Sequence, residues 1–131
     1  MKEKARDSVY KSLLSGGYKI QGRAKELVPV DTGLLQSRIV VEGNFAELSV
    51  RIGTNLQYAS WVELGTRPHW PPLRPVAEWA IRKGIPREAI GTIWYSIAWH
   101  GTKPHPYLIP AFEENIDAIR EDLIASIAKE I

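Results

Sequence analysis

His69 and His105 sit in matching settings, Gly-Thr-Arg-Pro-His and Gly-Thr-Lys-Pro-His. Two imidazoles joined by a carboxylate such as Glu63, or by His100, make a donor set that could hold a metal ion. No tight ligand motif such as His-Glu-x-x-His accompanies them, so loop histidines are expected and no metal ligand is assigned. Asp31-Thr32-Gly33 spells the signature of an aspartic protease. That chemistry needs two such aspartates sharing one proton, and the chain has a single copy, preceded by a helical rather than a strand pattern. The expected role is structural: Asp31 or Thr32 accepts hydrogen bonds from free amides at the start of a short helical turn. Glu63, Glu78 and Glu88 have no acid/base partner fixed by spacing. There is no cysteine, no Gly-rich phosphate loop and no Gly-x-Ser-x-Gly elbow. No catalytic residue and no cofactor is expected.

Arg67, Arg74, Arg82, Lys83, Arg87 and Lys103 are interleaved with Trp70, Trp79, Trp94 and Trp99. Such a face could grip phosphates and stack bases, so a nucleic-acid-binding module built on this stretch is the rival reading. The tryptophans also fall at helical spacing beside Ile and Val, which favours core or interface packing.

The 131 residues suit a single domain spanning 1–131, with a hydrophobic share of 44% that argues against disorder. The longest stretch without acid or base, Ala89 to Thr102, is too short to cross a membrane, and the acidic and basic start has no signal-peptide pattern. Synthesis in the cytoplasm without membrane contact is expected. Residues 1–30 carry seven Lys/Arg against three Asp/Glu, while residues 113–131 carry two against six. Opposite poles could join copies head to tail, or simply be solvated helix faces.

These residues need elements to hold them. Val9, Leu13, Ile20, Ala24 and Leu27 predict a long amphipathic first helix, weakened at Gly16-Gly17 and ended by Pro29. Ile39 and Val41, then Leu48, Val50 and Ile52, alternate around a turn placed at Gly43-Asn44, a hairpin with one wet face. Tyr58 to Gly65 returns to helical spacing, with Gly65 as a left-handed cap. Val76–Lys83 and Arg87–Trp99 predict two helices, the second with Ile90, Ile93, Trp94 and Ile97 on one face. Pro110 is placed at the first position of a last helix with a stripe of Phe112, Ile116, Ile119, Leu123, Ile127 and Ile131.

The blocks Pro29–Ile39, Tyr58–Thr66 and Pro106–Phe112 together resemble the small neck or tail-completion proteins of tailed phages, the head-tail joining family named for the tenth gene product of coliphage HK-ninety-seven. Members typically show Pro-Val-Asp-Thr-Gly-x-Leu-x-x-Ser-Ile, Tyr-Ala-x-x-Val-Glu-x-Gly-Thr and Pro-[Phe/Tyr]-Leu-x-Pro-Ala-Phe in this order. Here Arg38 intervenes before Ile39, Leu64 replaces a frequent aromatic, and a Trp-rich stretch, 67–100, separates the second and third blocks.

The resemblance implies an α+β fold: long N- and C-terminal amphipathic helices packed on a small antiparallel sheet, with 67–100 as a helical insertion or flap. It implies a virion structural protein of the neck, without catalysis, assembling as a ring around the DNA channel. Partners would be further copies, portal or connector proteins and tail proteins, with only transient, non-specific proximity to DNA and no membrane. It would pass from host cytoplasm to the head-tail interface of the virion. Interface candidates are Trp70, Trp79 and Trp94 as aromatic anchors, and Glu113, Glu114 and Asp117 as the acidic pole. Asp31, Thr32, Gly33, Gly65, Thr66, Gly101 and Thr102 are structural. The two Gly-Thr corners become the borders of the insertion, and Thr66 and Thr102 are expected to lie side by side.

Overall fold

The computed structural model describes residues 3–56 and 58–130. Helix α1 (Glu3–Leu27) leads into a short α2 (Leu34–Ser37) and an antiparallel hairpin of β1 (Val40–Asn44) and β2 (Ser49–Gly53). Then follow α3 (Ala59–Leu64), α4 (Leu73–Arg82), a 3-10 turn at Arg87–Ala89, α5 (Ile90–His100) and α6 (Leu108–Glu130). The class is α+β, with long terminal helices and a two-stranded sheet.

Helix α1 is the centre of the assembly of elements. It does not weaken at Gly16-Gly17 but runs unbroken, with both glycines buried. A Cβ at Gly16 would stand 2.7 Å from Cγ1 of Ile119 on α6, and one at Gly17 would stand 2.8 Å from Cγ1 of Val50 on β2. Each glycine costs a helix interior up to about 1 kcal/mol against alanine. Here that cost is offset by letting α6 and the hairpin approach the same turn from two sides. Arg23 reaches Glu114 and Lys19 reaches Asp122, so α6 runs antiparallel to α1.

The core gathers Ile20, Ala24 and Val28 of α1 and its exit, Leu35, Ile39, Ala59, and Tyr107, Ala111 and Ile119 at and within α6. Ile39 is the largest side chain fully buried, and such burial is worth about 1.5–3 kcal/mol. Gln21 donates to the Ile39 carbonyl at 2.8 Å and Gln36 to the Lys25 carbonyl at 2.9 Å, pinning the chain around Pro29 to α1.

The hairpin turn differs from the expected Gly43-Asn44. Both residues lie in β1, with Gly43 opposite Val50 and Asn44 opposite Ser49, and residues 45–48 form the loop. Two causes are visible. The Tyr10 hydroxyl occupies the space where a Gly43 side chain would go. Asn44 Oδ1 accepts from the Glu47 amide at 3.1 Å, and Leu48 takes a positive φ of 51°, which together sustain the wider loop. Arg6 donates to the carbonyls of Phe45 and Ala46 and lies over the Phe45 ring, tying the loop back to α1.

Helix α6 starts at Leu108, two residues before Pro110. Nothing is lost by this, because the missing N–H of Pro110 is among the first four that lack an intrahelical partner. Ile116, Ile119 and Leu123 of the expected stripe face the core side, whereas Phe112 and Ile127 are exposed. Ile131 lies outside the described residues. The arc of α6 that α1 covers is narrower than the apolar arc of the sequence.

Gly16→Ala should destabilise the protein by about 1–3 kcal/mol in urea unfolding, despite alanine's better helix propensity. Ile119→Ala alone should cost about 2–5 kcal/mol. The double variant should cost clearly less than the sum of the two, since the second change empties the space the first one needs. Strict additivity would show that the Gly16 contact with Ile119 is not the reason for the glycine.

Candidate interaction surface

Glu63 is not part of an acid/base pair. Its carboxylate accepts from the amides of Tyr107 at 2.7 Å, Leu108 at 2.8 Å and Ile109 at 2.8 Å. A helix leaves its first amides without partners and carries partial positive charge at that end, so an anion is favoured there. Glu63 thus caps α6 from another helix, 44 to 46 residues away in sequence. The His105 amide donates to the Val62 carbonyl at 2.8 Å alongside it. Buried Tyr107 completes the junction, its hydroxyl pKa pushed up first by burial and then by the Glu63 charge.

The two Gly-Thr corners meet next to this cap. Thr66 and Thr102 exchange backbone hydrogen bonds of 3.1 and 3.3 Å in an isolated antiparallel bridge, and their hydroxyl oxygens are 2.9 Å apart. Gly65 (φ 72°, ψ −177°) and Gly101 (φ 71°, ψ −158°) share one conformation, and it is not the left-handed cap expected for Gly65. It combines positive φ with extended ψ, a region open almost only to glycine. A Cβ on Gly65 would press on the Thr102 carbonyl at 2.5 Å, and one on Gly101 would collide with that of Thr66. Both glycines are therefore required twice over, by torsion and by space.

Beyond this neck, α4 and α5 pack on each other. A second attachment to the rest of the chain comes from Arg82, which donates to both carboxylate oxygens of Asp31, 2.9 Å for Nε to Oδ1. Lys83 Nζ donates to the Val30 carbonyl at 3.2 Å. The Asp31-Thr32-Gly33 turn is thus shared between two tasks. Thr32 Oγ1 accepts from the Leu34 amide at 3.3 Å, one residue ahead of the N-cap position, which Gly33 fills without a side-chain cap, while Asp31 holds α4. Gly33 takes φ 83° before α2. Arg82 hydrogen bonding holds the Asp31 carboxyl below the usual carboxylate range.

The tryptophans divide by exposure. Trp94 is half-buried and donates through Nε1 to the Pro71 carbonyl at 2.7 Å. Trp70 lies over it with ring centroids 4.7 Å apart, and the row continues through Tyr95 to Trp99. Trp70, Tyr95 and Trp99 are each more than half exposed, and Trp79 on α4 is 37% exposed. Ile90, Ile93 and Ile97 share with Trp94 the less exposed side of α5. The basic residues are less free than a phosphate-binding face requires, since Arg82 is paired with Asp31 and Arg74 with Glu78.

A cleft of about 890 Å³ opens between α3 and the neck. Trp61, Val62, Val76, Ile97 and several prolines supply most of its apolar lining, and Arg67, Lys103, His69 and His105 line it as well. The two histidines therefore share a cleft but no metal site: among the described residues no three His, Cys, Asp or Glu come together in ligating range. His69 Nδ1 is 2.8 Å from the Arg67 carbonyl oxygen.

The charge poles of the sequence meet inside one protomer. Arg23 donates to Glu114 at 2.6 Å and Lys19 lies 3.7 Å from Asp122. This pairing raises the Arg23 pKa and lowers that of Glu114. Glu114 is thus already held by its own chain, whereas Glu113 and Asp117 lie on exposed turns of α6, Asp117 beside Arg120. The capping role of Glu63 was missed by sequence reasoning. Its signal was the presence of Val-Glu in one block and an amide-rich helix start in another.

Two outcomes test these attachments. Glu63→Ala should lower stability by about 2–3 kcal/mol, above the ~1 kcal/mol of an ordinary cap. Amide exchange should accelerate first at Leu108 and Ile109. The Asp31 contribution is present at neutral pH and lost as pH falls through its depressed pKa. Protection factors across residues 67–100, taken relative to the intrinsic exchange rate at each pH, should therefore fall on acidification, and Asp31→Asn should flatten that dependence. Equal acid sensitivity in both proteins would assign the effect elsewhere.

Residues 1–65 match the family model described as "Bacteriophage HK97-gp10, putative tail-component". No curated protein and no solved structure matches the chain. The third block, Pro106–Phe112, lies beyond the matched span but is joined to it through Glu63. With α1, the Asp31–Gly33 turn, the hairpin and α3 all inside that span, residues 1–65 are those of the HK97-gp10-like family of bacteriophage proteins.

Proposed function

We propose that the protein is a structural subunit of the phage head-tail connector or neck that works by forming a homo-oligomeric ring around the DNA channel. The family description as a tail component supports a phage structural protein that contacts other virion proteins. The observation that carries the finer reading is the surface. Trp61, Leu64, Trp70, Tyr95, Trp99 and Ile124 are each more than half exposed. Scattered apolar residues need no explanation on a monomer, but Trp70, Tyr95 and Trp99 form one continuous aromatic row, and such rows mark protein contacts. Residues 67–100 act in this reading as an insertion on the single domain, presenting Trp70, packed against Trp94, together with Trp79 of α4, to a neighbouring copy or ring. The virion at the head-tail interface is its working location. No helix among the described residues is long and apolar enough to cross a membrane.

The nucleic-acid reading has in its favour the exposed aromatics and the cations Arg67 and Lys103 of the cleft, but two of its six cations, Arg74 and Arg82, are paired with carboxylates.

Light scattering of the purified protein should show a concentration-dependent oligomer, and Trp70→Ala with Trp99→Ala should weaken it by about 2 kcal/mol or more if the row is an energetic centre. Cryo-microscopy of virions should place density for the chain at the neck. A persistent monomer that binds DNA with a steep salt slope would overturn the ring in favour of the nucleic-acid module.

A further inference from the structure

The cleft beside the neck and the outer face of α6 have complementary chemistry. Among the residues lining the cleft, every charged or titratable-base side chain is cationic or imidazole: Arg67, Lys103, His69 and His105. Among the described residues no carboxylate lines it, and the rest of its lining is mostly apolar. An occupant should therefore be amphipathic, with apolar side chains flanked by acids.

Helix α6 displays such a surface away from α1. Ala111 and Ile119 define its buried side, and Ile109, Phe112, Ile124 and Ile127 are exposed. Ile109, Glu113 and Asp117 follow one another at i, i+4 spacing and so lie on one face. Arg120 shares that face and offsets part of its charge. The face remains net acidic with Glu113, Asp117 and Glu121 against Arg120.

We propose that the cleft receives the outer face of α6 from a second copy of this chain, with Ile109 and Phe112 on the apolar lining and Glu113 and Asp117 against Arg67 and Lys103. The inference rests on the homo-oligomer reading and deepens it by naming the two surfaces. Cleft and helix face are different surfaces of one protomer, so the contact is heterologous and repeats from copy to copy. Its charges differ from the Arg23–Glu114 and Lys19–Asp122 pairs, which stay within each protomer.

Charge reversal tests it. Arg67→Glu with Lys103→Glu should raise the concentration for half-assembly roughly tenfold or more, and Glu113→Lys with Asp117→Lys should do the same. All four residues are exposed, so circular dichroism should stay that of the wild type. Combining the four changes in one chain should restore assembly, because each copy then offers both reversed surfaces. In the cysteine-free background, a mixture of Arg67→Cys and Glu113→Cys proteins should cross-link as mixed pairs, and neither should cross-link alone. If the wild type assembles but both reversals leave it unchanged, or the fourfold variant is not restored, the cleft has another occupant and this contact is wrong while the oligomer stands. A wild type that remains monomeric at every concentration overturns both.

Discussion

There is no room for a side chain at Gly16 or Gly17, and most of the architecture follows from that. On one side of this turn of α1 stands Ile119, and on the other Val50 with Val41 behind it. A single helical turn thereby serves two layers, the hairpin and α6, which a chain with so few fully buried large side chains could not otherwise draw together. Close approach increases the dispersion contacts each neighbour makes, and those contacts are individually small but numerous. Alanine at Ala24 and Ala111, both without solvent exposure, continues the same economy of volume along the core. The arrangement explains why the ends of the chain carry opposite charge. Once α1 and α6 are forced into antiparallel contact, Arg23 and Lys19 face Glu114 and Asp122.

Helix α6 is the element most dependent on remote support. Its body leans on α1, but its first turn is held by Glu63 of α3 and by the bridge between Thr66 and Thr102. Two sequence blocks far apart in the chain are therefore one structural unit: the carboxylate is supplied by the first and the free amides by the second. A glutamate is suited to this because its two oxygens can serve three amides at once, which a serine or threonine cap cannot. The same unit bounds the cleft, so whatever enters the cleft rests against a junction held by three amide–carboxylate hydrogen bonds and a backbone bridge.

Periodicity located the helices, since stripes such as Val9–Ile20–Ala24 or Ile116–Ile119–Leu123 encode a face directly, but not every start: α4 begins at Leu73 rather than Val76, and Arg87–Ala89 is a 3-10 turn ahead of α5. The pairing of Thr66 with Thr102 was legible from the repeat instead, because two Gly-Thr corners bordering one segment suggest that its ends meet. Periodicity failed where a residue acts on something distant. Gly16-Gly17 reads locally as a weak point, and only the neighbours across the seam reveal it as a contact. Gly43-Asn44 has the composition of a tight turn, but Tyr10 of α1 claims the space above Gly43 and moves the turn onward. Phe112 and Ile127 fit the apolar stripe of α6 and are nevertheless exposed, because one partner helix covers only part of that arc. Glu63 looked like an ordinary acid. The role of an interface cannot be read from one chain's pattern at all, since the complementary surface need not be local.

The bridge between Thr66 and Thr102 has a consequence for how this chain tolerates change. Loop closure becomes costlier only slowly with length, by about 0.6 kcal/mol for each doubling. With its two ends fastened together by backbone hydrogen bonds, the α4–α5 segment places almost no demand on the spacing between α3 and α6. Apart from the contacts of Arg82 and Lys83 with Asp31 and Val30, these residues act on the rest of the fold as a tight reverse turn would. Changes within the segment that keep the two glycine corners and the Arg82–Asp31 pair therefore put little strain on the scaffold, and the surface the segment displays can vary apart from what carries it.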